Sequence, residues 1–442
     1  MKTKSIFLTL IALGILTSAL NGQIFNKSRE DSLLNLLEKN NKSMGSMAIL
    51  KNGNVIYTKA IGFINSDPKT PSNEKTKYRI GSITKMFTAT LIFQLIDEGK
   101  LTLTTTLDKF YPTVPNAGKI TIANMLGHRS GIHSFTDDPA YLTWMFVAKT
   151  RREMISIISE GNSEFEPGSK TKYSNSNFVL LGFIVEDVRK EHYNNILQKH
   201  ICSKAGLGDT YYGGKTNPAK NESYSFKFLK AWEKQPETDL SIPHGAGAIV
   251  STPSDLVKFI SILFSGKLVS EKSLGDMKTV TDGLGMGMIQ FPYENKKLYG
   301  HGGSIDGFTS MLGYFPDEKL ALCYISNGSI YSVNDVLLRT LNIYFDKPEK
   351  LPQFTSYELK PGELDQYLGV YSSPQLPLKL TLTKNDGKLF GQGTGQPAFP
   401  LDASEKDVFK FETAGIVIRF TSGKEEFVLE QGGGKFTFTK EN

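Results

Sequence analysis

Cysteine is nearly absent from this chain: Cys202 and Cys323 are the only two among 442 residues. A small disulfide-stapled scaffold is therefore excluded. Cys323 sits in the apolar run 320–325, so two buried free thiols are expected rather than a bridge. Histidine is also scarce, with six in all and no H-E-x-x-H spacing, so no metal site and no cofactor are expected. No serine stands in a G-x-S-x-G elbow, and no serine–histidine–acid hydrolase set is evident. Arginine-rich runs and basic stretches interleaved with aromatics are missing too. A net charge of +6 is small for this length, so nucleic acid is not an expected partner.

Long apolar runs are confined to the first residues. Lys2 and Lys4 precede the run 6–16, and small or polar residues follow up to Gln23. This pattern reads as a secretory signal peptide over 1–22, cleaved between Ala19 and Gln23. The run is shorter than the ~20 residues that span a bilayer, and no cysteine follows it for lipid attachment. The expectation is a periplasmic or extracellular protein with no stable membrane span after cleavage. Losing Lys2 and Lys4 lowers the charge from +6 to +4. Oligomeric state is not legible from these features.

What is present begins with Ser82-Ile83-Thr84-Lys85. It opens an amphipathic run, 82–98, with apolar residues at Ile83, Met86, Phe87, Leu91, Ile92, Leu95 and Ile96. That spacing predicts a helix with one buried face, stopped by Gly99. Positions i and i+3 share a helical face, so the Ser82 hydroxyl and the Lys85 amine would be neighbours. Unpaired N–H groups at a helix start also favour developing negative charge. Taken alone, the same four residues describe a serine cap and a surface lysine.

Four further segments change that balance. Tyr173-Ser174-Asn175 lies in a polar loop before the helical run 178–188, and His301-Gly302-Gly303-Ser304 precedes the strand-like run 309–315. Residues 126–132 read L-G-H-R-S-G-I, and 246–256 read A-G-A-I-V-S-T-P-S-D-L. Together, and in this order over about 33–345, they resemble the penicillin-binding protein and class C β-lactamase superfamily of serine hydrolases, the D-alanyl-D-alanine carboxypeptidase type among them.

The resemblance implies Ser82 as acyl-enzyme nucleophile, with Lys85 and Tyr173 sharing proton transfer. Which of the two is the base stays open: desolvation would lower the Lys85 amine, and a nearby cation would favour a Tyr173 phenolate. It also implies that Asn175 orients Lys85 and holds a substrate amide. The oxyanion hole would be the N–H groups of Ser82 and Ser304. His301, Gly302 and Gly303 would bind substrate, the glycines letting a substrate backbone approach the strand. The family carries a lysine where this chain has His301. Carboxylate recognition is then expected to be weaker, and to fade as pH rises from about 6 to 8.

For the fold, Asn52-Gly53 marks a hairpin over 47–57, and Pro316-Asp317 a second over 309–326, followed by a helical run 333–345. These predict an α+β body, with an antiparallel sheet flanked by helices and a mostly helical lobe inserted over about 101–270. From 364 onward, short alternating runs at 379–383, 408–411, 416–420, 425–430 and 435–439 predict a small all-β barrel or sandwich. It is similar to lipocalin-like C-terminal domains. The expected division is 1–22 signal peptide, 23–350 hydrolase domain and 351–442 barrel domain. The substrate would be a small molecule or peptide, most plainly a D-amino-acid peptide related to peptidoglycan. Carboxylesterase or amidase, β-lactamase and non-catalytic sensor readings use the same residues.

Overall fold

A computed structural model describes residues 25–441 apart from 349 and 361; the segment 1–22, expected to be a signal peptide, lies outside them. The sheet is built from both ends of the body. Helix α1 (Lys27–Lys39) leads into β1 (Ser43–Lys51) and β2 (Asn54–Ile61), joined by the two-residue turn Asn52-Gly53, both at positive φ. Helices α2 (Thr84–Asp97), α3 (Asn175–Arg189), α4 (His244–Gly247) and α5 (Pro253–Phe264) follow, interspersed with shorter turns. The chain then returns through β3 (Ile289–Tyr293), β4 (Lys296–Ile305), β5 (Phe308–Phe315), β6 (Leu320–Ser329) and α6 (Val333–Tyr344). The six strands form one antiparallel sheet in the order β3-β4-β5-β6-β1-β2.

Two expectations shift in detail, while residues 301–304 lie inside β4. Gly303 explains why a strand carries such residues there, since a methyl group on it would sit 2.1 Å from the Ile80 carbonyl oxygen. The glycine therefore serves an internal contact, not only substrate approach. The inserted lobe also ends earlier than 270, because α5 packs on β1, β5 and β6 of the sheet. Helix α2 is buried all round from Thr84 to Leu95, not along one face. It packs against the inserted helices α3 and α4 and, through Phe87 stacked on Phe259, against α5, so its polar residues, Lys85 among them, are buried with the rest.

Beyond α6 an eight-stranded closed barrel runs from Gly369–Ser373 to Gly434–Lys440. Its interior is filled by Tyr371, Leu380, Leu389, Phe409, Phe427 and Phe438, all buried together. A barrel of this size holds either packed side chains or one small ligand, and here the side chains occupy it. It is tied to the body by the Lys42–Glu412 ion pair at 2.5 Å and by the Ser332 N–H donating to the Glu412 carbonyl at 2.8 Å. Both cysteines are free and buried. Among the described residues no helix is long and apolar enough to cross a membrane.

One buried acid sets a pH dependence of stability. Glu30 on α1 is packed against α6, where the Thr340 hydroxyl donates to its Oε1 at 2.9 Å and its Oε2 has no partner. Burial, the largest cause, raises its carboxyl from 4.5 to about 8. Between those values the folded chain keeps a proton that the unfolded chain releases. Stability therefore falls as pH rises through this window, by up to about 1.4 kcal/mol per unit, and levels off above it. The Tm of Glu30→Gln is expected to match wild type near pH 5 and exceed it by several degrees at pH 8.5. Parallel Tm curves would remove this role.

Candidate active site

Ser82 lies in a single 3-10 turn, Gly81–Ile83, that feeds directly into α2. Gly81 has φ +53°, and a methyl group on it would come within 2.8 Å of the Ser304 backbone nitrogen. Glycine thus allows the turn carrying Ser82 to lie flat against the end of β4. Past Gly300, β3 no longer pairs with β4, which leaves this stretch of β4 as an open edge.

Lys85 is fully buried, with Nζ 2.9 Å from Ser82 Oγ, 2.8 Å from Asn175 Oδ1 and 2.9 Å from the Ala246 carbonyl oxygen. No carboxylate is among these partners. Burial pushes its amine well below the ordinary lysine value. A neutral amine has two N–H groups and one lone pair. Asn175 Oδ1 and the Ala246 carbonyl can only accept, so they take the two N–H groups and leave the lone pair facing the Ser82 hydroxyl.

Asn175 is the first residue of α3 rather than part of a loop, and its side chain is fixed from both ends. Its Nδ2 donates to Thr136 Oγ1 at 2.9 Å, which turns Oδ1 towards Lys85, and its backbone N–H donates to Ser134 Oγ at 3.1 Å. Tyr173 is close by: Lys85 Nζ stands 4.9 Å from its ring centroid. Burial raises the Tyr173 hydroxyl above its ordinary value, against a smaller opposing effect of a side-chain hydrogen bond with Ser82. The phenolate stabilised by a charged Lys85 is therefore not the resting form, because burial favours the neutral form of both groups.

His301 corrects the sequence expectation. It is buried, its Nδ1 is 2.5 Å from the Gly302 carbonyl, and its ring centroid is 6.2 Å from that of Tyr173. Burial first, and Lys85 second, push its ring down to about 3. It is uncharged from pH 6 to 8, so an imidazolium that grips a carboxylate and fades over that range is not available.

A cavity of about 230 Å³ opens beside Ser82, Asn175 and Ser304. Its apolar walls include Phe135, Tyr141, Met145 and Ile305, and no lysine, arginine or histidine is among the described residues lining it. Asp306 reaches the wall but is already engaged: Thr238 donates through its N–H at 2.8 Å and its hydroxyl at 2.7 Å, and Arg79 at 3.0 Å. Among the described residues no cluster of three or more His, Cys, Asp or Glu could hold a metal ion.

The structure thus brings together Ser82, Lys85, Tyr173, Asn175, Ser304 and the His301-Gly302-Gly303 strand. Sequence reasoning gave no role to Thr136 or Ser134. The carbonyl of Ala246, a backbone group, carries no side-chain signal, though its residue opens a segment the resemblance rests on.

This fold and this serine–lysine–tyrosine cluster define a serine hydrolase of the acyl-transfer type. A family model described as Beta-lactamase matches residues 35–342, and the chain belongs to that family. Penicillin-binding protein 4* of Bacillus subtilis (strain 168) is 24% identical over 444 residues, covering 91% of this chain and 96% of that relative. A crystal structure of D-amino acid amidase from Ochrobactrum anthropi SV3, complexed with L-phenylalanine, aligns with a TM-score of 0.64 at 27% identity over 73% of this chain and 98% of its own. The octameric penicillin-binding protein homologue from Pyrococcus abyssi aligns with a TM-score of 0.66 at 24% identity, over 94% of this chain and 100% of its own.

Proposed function

We propose that the protein is an exported serine hydrolase that cleaves amides, esters or short peptides of D-amino acids with apolar side chains, through an acyl-enzyme on Ser82. The observation that carries this reading is the buried Lys85 amine, 2.9 Å from Ser82 Oγ and held there by Asn175 Oδ1 and the Ala246 carbonyl. Ser82 Oγ attacks the acyl carbonyl while its proton passes to Lys85. The oxyanion is held by the N–H groups of Ser82 and Ser304, whose backbones the glycine at 81 brings together. Tyr173, a neutral phenol, delivers the proton to the departing amine or alcohol, and water then releases the acid. The open edge of β4 at 301–304 suits an extended substrate backbone.

The lining of the cavity decides among substrates. A C-terminal D-alanine or a penicillin presents a carboxylate, and neither His301 nor any lining residue offers it a cation. A neutral substrate with an apolar side chain fits Phe135, Tyr141 and Met145. The likeness to D-amino acid amidase supports the same preference. The carboxypeptidase and β-lactamase readings are disfavoured on this ground. The signal peptide over 1–22 supports export.

Two measurements test the reading. Intact mass after a fluorophosphonate should show one adduct on wild type and none on Ser82→Ala; an unlabelled wild type sinks the acyl-enzyme. Wild-type kcat/KM for N-acetyl-D-phenylalaninamide is expected to exceed that for a D-alanyl-D-alanine peptide and for nitrocefin at least tenfold. The reverse order would restore the carboxypeptidase or β-lactamase reading.

A further inference from the structure

His128 takes no part in the chemistry above, yet it grips three successive residues around the Tyr173 hydroxyl carrier. Its carbonyl accepts the Lys172 N–H at 3.0 Å, and its Nδ1 accepts the Ser174 N–H at 3.1 Å. Between those two bonds, its ring stacks on the Tyr173 ring, with centroids 4.2 Å apart and planes at 24°. The Phe178 ring lies 5.2 Å away at 38°. His128 is 3% exposed and adopts φ +55°, a left-handed conformation that a residue with a side chain rarely takes.

An acceptor at Nδ1 fixes the tautomer, because the ring proton must then be on Nε2. Burial works in the same direction, holding the ring in its neutral form, and the nearby Lys85 and His301 add to it. A second proton on Nδ1 would point a donor at the Ser174 donor and break the grip.

We propose that His128 is a positioning residue for Tyr173, holding its hydroxyl where it can protonate the leaving group of a bound amide. This rests on Tyr173 being the proton donor in the acylation step. In that step the carbon–nitrogen bond breaks, its electron pair stays on nitrogen, and the phenolic proton joins it; the proton Lys85 took from Ser82 then passes to the phenolate and restores the phenol. Leaving groups differ in how much they need that proton. An amide nitrogen cannot depart without it, whereas p-nitrophenolate departs as an anion.

The test compares N-acetyl-D-phenylalaninamide with the p-nitrophenyl ester of the same acyl group, in wild type, His128→Ala and His128→Asn. For His128→Ala, kcat on the amide should fall about 100-fold, within the range of a general acid. KM should stay within threefold, and kcat on the ester should fall less than fivefold. His128→Asn keeps an acceptor near Nδ1 and tolerates positive φ, so it should recover part of the amide rate; it also supplies a folded protein if the alanine variant does not fold. Equal losses on amide and ester, or no loss on either, overturn the proposal while leaving the Ser82 reading intact. A wild type that forms no fluorophosphonate adduct removes the Ser82 reading itself, and the proposal with it.

Discussion

Lys85→Met is expected to lower kcat/KM by about ten-thousand-fold, nearly as much as Ser82→Ala, while raising Tm. Residues that act as one unit each cost almost the whole when removed singly. Ser82 and Lys85 are such a unit, because one loses the proton that the other gains across 2.9 Å. Methionine keeps the unbranched reach of lysine but has no basic nitrogen. It also ends the burial of a polar head that has no carboxylate partner, which accounts for the opposite sign in stability. Lys85→Arg separates the two effects. A guanidinium cannot give up its proton, so this variant should be as inactive as methionine and less stable than wild type. In wild type, the rise of kcat/KM with pH should be complete well below the ordinary lysine range, since burial pushes the amine down. A rate that climbs towards pH 10, or a methionine variant keeping more than about 1% of activity, would exclude Lys85 as base.

Much of this site could be read in the sequence because its key relation is local. Ser82 and Lys85 are three apart on a helix, and Tyr173 and Asn175 are two apart at the start of another. Such spacings survive any uncertainty about tertiary structure. The state of each group does not. That the Lys85 amine is pushed well below the ordinary lysine range, that the Tyr173 phenol is pushed up and that the His301 ring is pushed down follow from burial supplied by distant segments. His301 is the clearest case. Residue type alone predicts titration between pH 6 and 8, and packing beside Tyr173 and Lys85 moves it out of range.

The same contrast holds for the fold. The Asn52-Gly53 hairpin and the capped start of α5 at Thr252-Pro253 are local signals, and both elements formed there; Thr252 Oγ1 accepts the Asp255 N–H at 3.2 Å. Barrel strands Lys388–Gly393 and Phe399–Glu405 were not legible, since Gly391, Gly393 and Pro400 blunt the alternation that identifies a strand. At Gly303 the need for glycine is supplied by the fold, since the Ile80 carbonyl occupies the space that a side chain would need.

Arg79→Met is expected to destabilise the protein by about 3–5 kcal/mol, the usual result of stripping one partner from a buried ion pair. Arg79 stands three residues before Ser82, and its side chain is 3% exposed. Its guanidinium meets Glu237 at 2.8 Å and Asp306 at 3.0 Å, and donates to the carbonyls of Thr238 at 2.7 Å and Gly214 at 3.0 Å. The Asp306 side chain is buried, and burial already raises its carboxyl, so without Arg79 it would be protonated or force a rearrangement. Asp306 closes the β4–β5 turn and bonds Thr238 across the cavity, so the network fixes the end of β4 that carries Ser304. Arg79→Met should therefore also raise KM for the D-amino-acid amide. Adding Asp306→Asn removes the stranded charge while keeping an acceptor for Thr238, and should restore more than half of the lost stability. Denaturant unfolding of the wild type and these two variants measures this directly. If Arg79→Met lies within 1 kcal/mol of wild type, or Asp306→Asn restores nothing, the pair does not hold the cavity wall, and the position of Ser304 must be set by the β4–β5 ladder alone.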